Sequence, residues 1–150
     1  MRLTSSAFPP GGRIPVRFTC DGDNVSPPLA WSDSPAGTRS FALVCADPDA
    51  PGGVWYHWAI YDIPPDARGL PEGVPTAGNR PPQGTNDFRH PGYGGPCPPP
   101  GSRPHRYVFT LYALAVDRMA VAPQAGCRAI EAAARPQPLA TAQLTGVYAR

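Results

Sequence analysis

Three runs in this chain are apolar on both of their faces at a period of two, which confines it to a layered β fold. Ser40 to Asp47 sets Phe41, Leu43, Cys45 and Asp47 on one face and Ala42, Val44 and Ala46 on the other. Trp55 to Ile63 and His105 to Val116 have the same character, rich in β-branched and aromatic side chains. Strands of this kind need cover on both faces, so they belong at the centre of packed sheets. Ile14 to Cys20 and Thr141 to Tyr148 are weaker strand candidates, and Pro28 to Trp31 is a short one. One helix is expected near the end, where Cys127, Ile130 and Ala134 recur at helical spacing and Pro136 stops the run. The expected fold is mainly β: an antiparallel, Greek-key-like β-sandwich with long Pro/Gly loops and one or two short helices near the C-terminus.

Pro and Gly supply 23 and 16 of the 150 residues. They follow no period and are interrupted by the apolar runs, so they read as turns of a folded chain and not as disorder. The longest loop, Pro64 to Gly101, is of a length that is often functional. No repeat or linker divides the sequence, and residues 1–150 are expected to form one domain.

Charge excludes more than it suggests. The net charge is +2, and the basic residues, all arginine, scatter from Arg2 to Arg150. No basic stripe interleaves with aromatics, which argues against nucleic-acid binding. No apolar stretch reaches the roughly 18 residues that a membrane span requires, and Met1 to Ser6 lacks the apolar core of a signal peptide. A soluble, cytoplasmic protein is therefore expected. Cys20, Cys45, Cys97 and Cys127 form no C-x-x-C pair. In a reducing compartment they read as four free thiols, with a disulfide at Cys20 or Cys97 left open by their turn-rich surroundings.

Three motifs carry the chemistry. Asp47-Pro48-Asp49-Ala50-Pro51 ends a buried strand, and Asp47 shares the face of Leu43 and Cys45. Its carboxylate must be paired or hydrogen-bonded to lie there. A cis Asp47–Pro48 bond would reverse the chain while keeping Asp47 inward, at a cost of only about 0.5–1 kcal/mol. In Trp55-Tyr56-His57-Trp58, period two puts Trp55 and His57 on one face, Tyr56 and Trp58 on the other. In His105-Arg106-Tyr107 the imidazole and the phenol share a face and Arg106 opposes them. The preceding run, Gly94-Gly95-Pro96-Cys97-Pro98-Pro99-Pro100-Gly101, has glycines able to turn backbone N–H groups toward an anion. Each motif alone is as readily a turn or an aromatic core.

Together, and in this order, they resemble the phosphatidylethanolamine-binding protein family. The carriers are D-P-D-A-P at 47–51, W-x-H-W at 55–58, and G-P-C-P-P-x-G followed by H-R-Y at 105–107. Thr19-Cys20-Asp21-Gly22, Ser26 to Trp31 and Gly84-x-Asn86-Asp87 resemble the family's bacterial Raf-kinase-inhibitor-like branch. The resemblance implies a β-sandwich with short C-terminal helices and a small pocket for phosphate-like anions and phospholipid head groups. Here that pocket would use Asp47, Asp49, Trp55, His57, His105 and Tyr107, with the loop contributing Gly95, Cys97, Pro98 and Pro99. It also implies a cis bond before the Trp55 strand, at Gly53–Val54. The chain departs from the family where Arg135-Pro136-Gln137-Pro138 replaces a His-plus-aliphatic stretch.

Two imidazoles and a phenol suit phosphate oxygens as hydrogen-bond donors, with Asp47 orienting or charging a histidine. No nucleophile elbow accompanies Ser102. Binding of a small anion or phosphorylated small molecule, without cofactor or catalysis, is thus expected first. Regulation of a kinase or peptidase through a protein partner comes second, and a homodimer is compatible with the apolar loops. A metal-dependent hydrolase using Asp47, Asp49, His57 and His105 comes last, since no H-x-x-x-H pair is present.

Overall fold

The computed structural model describes all 150 residues. Its strands are β1 (Arg2–Thr4), β2 (Leu29–Ser32), β3 (Ser40–Asp47), β4 (Trp55–Ile63), β5 (Gly69–Leu70), β6 (His105–Leu114) and β7 (Ala140–Tyr148). One helix, α1 (Cys127–Ala134), precedes β7. A three-stranded antiparallel sheet, β1-β2-β5, faces a four-stranded antiparallel one, β4-β3-β6-β7.

The three apolar runs become β3, β4 and β6, of which β3 and β6 are inner strands, as two-faced hydrophobicity requires. Strand β4, expected at a sheet's centre, is an edge strand whose outer side is closed by the loop through Pro82, Gly84 and Asp87. Phe41, Leu43 and Cys45 join Trp31, Phe109 and Leu144 in the layer between the sheets. Ala42 and Val44 join Tyr112, Met119 and Ile130 in the layer under α1. The large sheet is therefore covered on one side by the small sheet and on the other by the helix.

Strand β4 departs from strict alternation. Ala46 pairs with Tyr56 and Cys45 with Trp58, so His57 is an extra residue between them. This is a β-bulge, which bends the strand and re-aims side chains. Trp58 consequently lies in the inter-sheet layer and Tyr56 in the layer under α1, instead of sharing the face that period two predicts.

Other expectations need correction. Ile14 to Cys20 forms no strand: Val16–Phe18 is a single 3-10 turn after Pro15, and the backbone contact with β7 is made by Gly11, Gly12, Arg13 and Ile14. The strand from His105 ends at Leu114, short of Val116. The short strands β1 and β5 are too brief to show a period. Cys20 and Cys97 form a disulfide, so the chain has two buried free thiols, Cys45 and Cys127, and not four. Asp47–Pro48 and Gly53–Val54 are trans, the one cis bond being Arg80–Pro81. The reversal is made instead by a turn in which the Asp49 N–H donates to Asp47 Oδ1, and by Gly53 at φ +109°.

Candidate functional site

At the end of the large sheet, β3, β4 and β6 and two loops enclose a cavity of about 210 Å³. Its wall contains Asp47, Trp55, His57, Cys97, Pro98, Pro99, His105 and Tyr107, eight of the ten residues expected from sequence. Ala50, Pro51 and Phe88 complete it.

Asp47 is buried and each oxygen of its carboxylate has a partner. Oδ1 accepts the Asp49 N–H at 2.7 Å, and Oδ2 lies 2.7 Å from His105 Nδ1. A carboxylate can only accept here, so Nδ1 of His105 is the donor. His57 Nδ1 donates likewise to the Gly94 carbonyl at 2.7 Å. The two rings flank Tyr107, with His57 edge-on to it at 5.2 Å and His105 stacked at 6.5 Å.

Every fully buried side-chain nitrogen and oxygen in the chain has a hydrogen-bond partner. Nε2 of His57, Nε2 of His105 and the Tyr107 hydroxyl bond to no residue, so all three face the cavity. Burial lowers the pKa of His57, opposed by the Gly94 carbonyl and the Asp47 charge. Burial, reinforced by Asp47, raises that of Tyr107, whose hydroxyl keeps its proton.

Two expected residues are placed elsewhere. Asp49 turns onto Arg106, accepting from its backbone N–H at 2.9 Å and from Nε and Nη2 at 2.9 and 2.8 Å. The guanidinium holds its carboxyl down at about 2. This removes Asp49 from the four-residue metal set, and no group of three or more His, Cys, Asp and Glu is arranged to hold a metal ion. Gly95 lies behind the wall: its N–H donates to Asn24 Oδ1 at 2.8 Å, and a Cβ there would strike the Phe18 carbonyl. The Gly94 N–H goes to the His57 carbonyl at 2.9 Å. The glycines thus permit close backbone packing and support His57, and their N–H groups are not offered to a ligand.

Phe88 enters the wall through the Gly84-x-Asn86-Asp87 segment. Asn86 Oδ1 accepts the N–H of Phe88, and Asp87 Oδ2 accepts that of Tyr56 at 2.7 Å, fastening the loop to β4. Phe88 then meets Trp55 and His57 edge-on, each at 5.4 Å. A lone aromatic beside that Asn-Asp pair was the available signal. Cys97 is held beside Cys20 by the disulfide, which ties the proline wall to the turn after Phe18. No residue of α1 reaches the cavity; its Arg128 instead donates to the Val54 carbonyl at 3.2 Å.

The family model described as phosphatidylethanolamine-binding protein matches residues 4–149. A protein of Methanothermobacter thermautotrophicus designated UPF0098 is 49% identical, covering 100% of this chain and 99% of its own. LppC of Mycobacterium tuberculosis, provisionally named a lipoprotein, is 43% identical over 90% of this chain and 66% of its own. The crystal structure of Escherichia coli YbcL, described as a new member of the mammalian PEBP family, superposes with a TM-score of 0.88. The two are 34% identical, over 99% of this chain and 98% of that one.

Proposed function

Because the chain belongs to the phosphatidylethanolamine-binding protein family, we propose that its cavity binds a small anionic, phosphate-containing ligand and does not act on it chemically. The observation that carries this reading is the convergence of three otherwise unpartnered polar atoms, Nε2 of His57, Nε2 of His105 and the Tyr107 hydroxyl, on one small cavity. Hydroxyl and imidazole groups match phosphate oxygens, and the aromatic and proline walls exclude water around them. Asp47 acts by orienting His105, since both its oxygens are engaged. No side chain here is set up as a nucleophile with its own base. Calorimetry with phosphate tests the reading, with an expected affinity of roughly millimolar to tens of micromolar, or about −4 to −6 kcal/mol. Silence at all pH values, or unchanged binding in His105→Ala, would sink it.

No helix is long and apolar enough to cross a membrane. As to compartment, a disulfide at the cavity wall weighs toward an oxidising one and against the cytoplasm expected from four free thiols. Thiol trapping in fractionated cells decides between them.

A further inference from the structure

The wall of the cavity is fastened by two different means. His57, His105 and Tyr107 sit on hydrogen-bonded strands, whereas Cys97-Pro98-Pro99 is a loop whose prolines have no N–H to donate. The chain just before that loop is well tied. The Gly94 N–H donates to the His57 carbonyl at 2.9 Å, the Gly95 N–H to Asn24 Oδ1 at 2.8 Å, and the Cys20 N–H to the Pro96 carbonyl at 3.1 Å. The next tie is the Gly101 N–H, which donates to the Arg150 carbonyl at 3.1 Å. Between them, residues 97 to 100 make no backbone hydrogen bond outside their own turn, where the Ser102 N–H donates to the Pro99 carbonyl. Pro98 is buried, but Cys97, Pro99 and Pro100 are exposed. One covalent bond, Cys20–Cys97, therefore does for this wall what a hydrogen-bond ladder does for the strands.

The two sulfurs of that bond are unequally placed. Cys20 is half-buried in a turn where the Thr19 N–H donates to the Val16 carbonyl at 3.0 Å and the Gly22 N–H to the Thr19 carbonyl at 3.1 Å. Cys97 is exposed, and Nη1 of Arg150 lies 3.6 Å from its sulfur. Arg150 is itself held by Asp21, with Nη2 3.2 Å from Oδ1, while the Tyr148 hydroxyl donates to Oδ2 at 2.6 Å. An arriving thiolate is an anion, so access and the guanidinium both favour Cys97 as the sulfur it strikes. The charge of Asp21 moderates the second effect and leaves the first untouched.

We propose that Cys97 is a thiol-exchange site and that opening its bond to Cys20 releases the proline wall, so that a small thiol controls the cavity. A thiolate R–S⁻ bonds to the Cys97 sulfur as the Cys20–Cys97 bond breaks. The electron pair leaves on the Cys20 sulfur, which takes up a proton. A second thiol then displaces Cys97 as its thiol and departs as R–S–S–R. Two thiols are oxidised, one disulfide is reduced, and the reverse sequence closes the bond again. The turn at Cys20 keeps its hydrogen bonds, so the movement falls on residues 97 to 100. Control of occupancy rests on the ligand-site reading above; exchange and release do not.

The first measurement treats the folded, oxidised protein with reduced glutathione, quenches in acid and locates the adduct by peptide mass. Glutathione should be found on Cys97 roughly tenfold more often than on Cys20, and Arg150→Ala should slow its capture about threefold. An adduct mainly on Cys20, or shared equally, overturns the assignment of the site, and an unchanged rate in Arg150→Ala overturns the guanidinium's part in it. The second compares amide exchange, read by NMR, before and after reduction with dithiothreitol. Gly101 should exchange roughly tenfold faster once reduced, while Gly94 and Gly95 stay within about twofold. Cys20→Ser, which frees Cys97 without any reductant, should reproduce that pattern. Cys45 and Cys127, both buried, should resist alkylation throughout. Their alkylation along with Cys20 and Cys97 would mean that the bond holds the whole domain, and an unaltered Gly101 that it holds no wall. Either result overturns the release. The third is calorimetry with inorganic phosphate, which should bind roughly threefold or more weakly to the reduced protein and recover on reoxidation. Equal binding in both states overturns control of the cavity. No binding in either overturns the anion site and control of its occupancy, leaving exchange and release to stand on the first two measurements.

Discussion

Two carboxylates are buried on opposite sides of the large sheet, and their surroundings end differently. Glu131 on α1 is 7% exposed and accepts from Tyr56 at 2.7 Å, Tyr112 at 2.9 Å and Arg135 at 2.6 Å. Burial, with this hydrogen bonding second, pushes both phenols up to about 12. Both phenols and both carboxylate oxygens of that network are paired within the chain, with Arg135 capping it from the surface, so it fastens the helix to the sheet. Asp47 is 3% exposed and both its oxygens are engaged, but its partner His105 passes the connection on to an atom that faces the cavity. A closed polar network makes structure, and on the proposed function one left open serves recognition, although a carboxylate under an aromatic layer reads alike in both from sequence.

The sharpest way to break this contrast is to delete Glu131. Glu131→Ala should cost roughly 3–5 kcal/mol, because it leaves two phenols without their buried acceptor, and should leave anion binding unchanged in the folded protein. Urea melts and calorimetry on the same sample report both; lost binding in a folded variant would erase the division of labour. The converse is His105→Ala, expected to lower binding at least tenfold while costing about 1–3 kcal/mol of stability, since it leaves Asp47 with one partner fewer. Equal injury to both properties would return His105 to the core.

A smaller effect is read in pH. The folded-state pKa of His57 is lowered, so between that value and the unfolded value of about 6.5 the unfolded chain binds more protons. Stability should therefore fall as pH drops below about 6.5 and level off beneath the folded value, in buffers free of phosphate and sulfate. His57→Gln should flatten that limb of the thermal melts, and a persistent slope would assign it to another group. The smallest effect concerns Arg106 and Asp49. The Asp49 carboxyl is depressed from 3.8 to about 2, so its contribution is complete above the higher value and lost as pH falls through the lower. The pair is exposed, and Arg106→Ala should cost about 1 kcal/mol or less. A larger loss, or an unaltered acid limb, would show that the pair is not merely a surface clasp.

Sequence periodicity sufficed where alternation is regular. The two faces of β3 fall as Phe41 and Ala42 imply, and α1 ends before Pro136. It failed at His57, because an inserted residue leaves composition and spacing unchanged while swapping the faces beyond it. Asp49 was misassigned because a turn carboxylate may face either way, and only the cross-strand position of Arg106 decides. Phe88 was passed over since its loop has no period. The Cys20–Cys97 pair was obscured by an argument from compartment, which says nothing about the distance between two turns. The trans bonds at Asp47–Pro48 and Gly53–Val54 show that a side-chain hydrogen bond and one glycine accomplish the reversal.

That bridge also has a mechanical consequence. It joins residues 77 apart, and β2, β3, β4 and β5 all lie within the ring it closes. Pulled by its ends, the oxidised chain can pay out only residues 1–20 and 97–150, while some 77 residues, about 250–280 Å of contour at ~3.3–3.6 Å each, stay hidden. Adding reductant should lengthen the final extension by that amount, turning the wall of a small cavity into the stop that limits how far the molecule stretches.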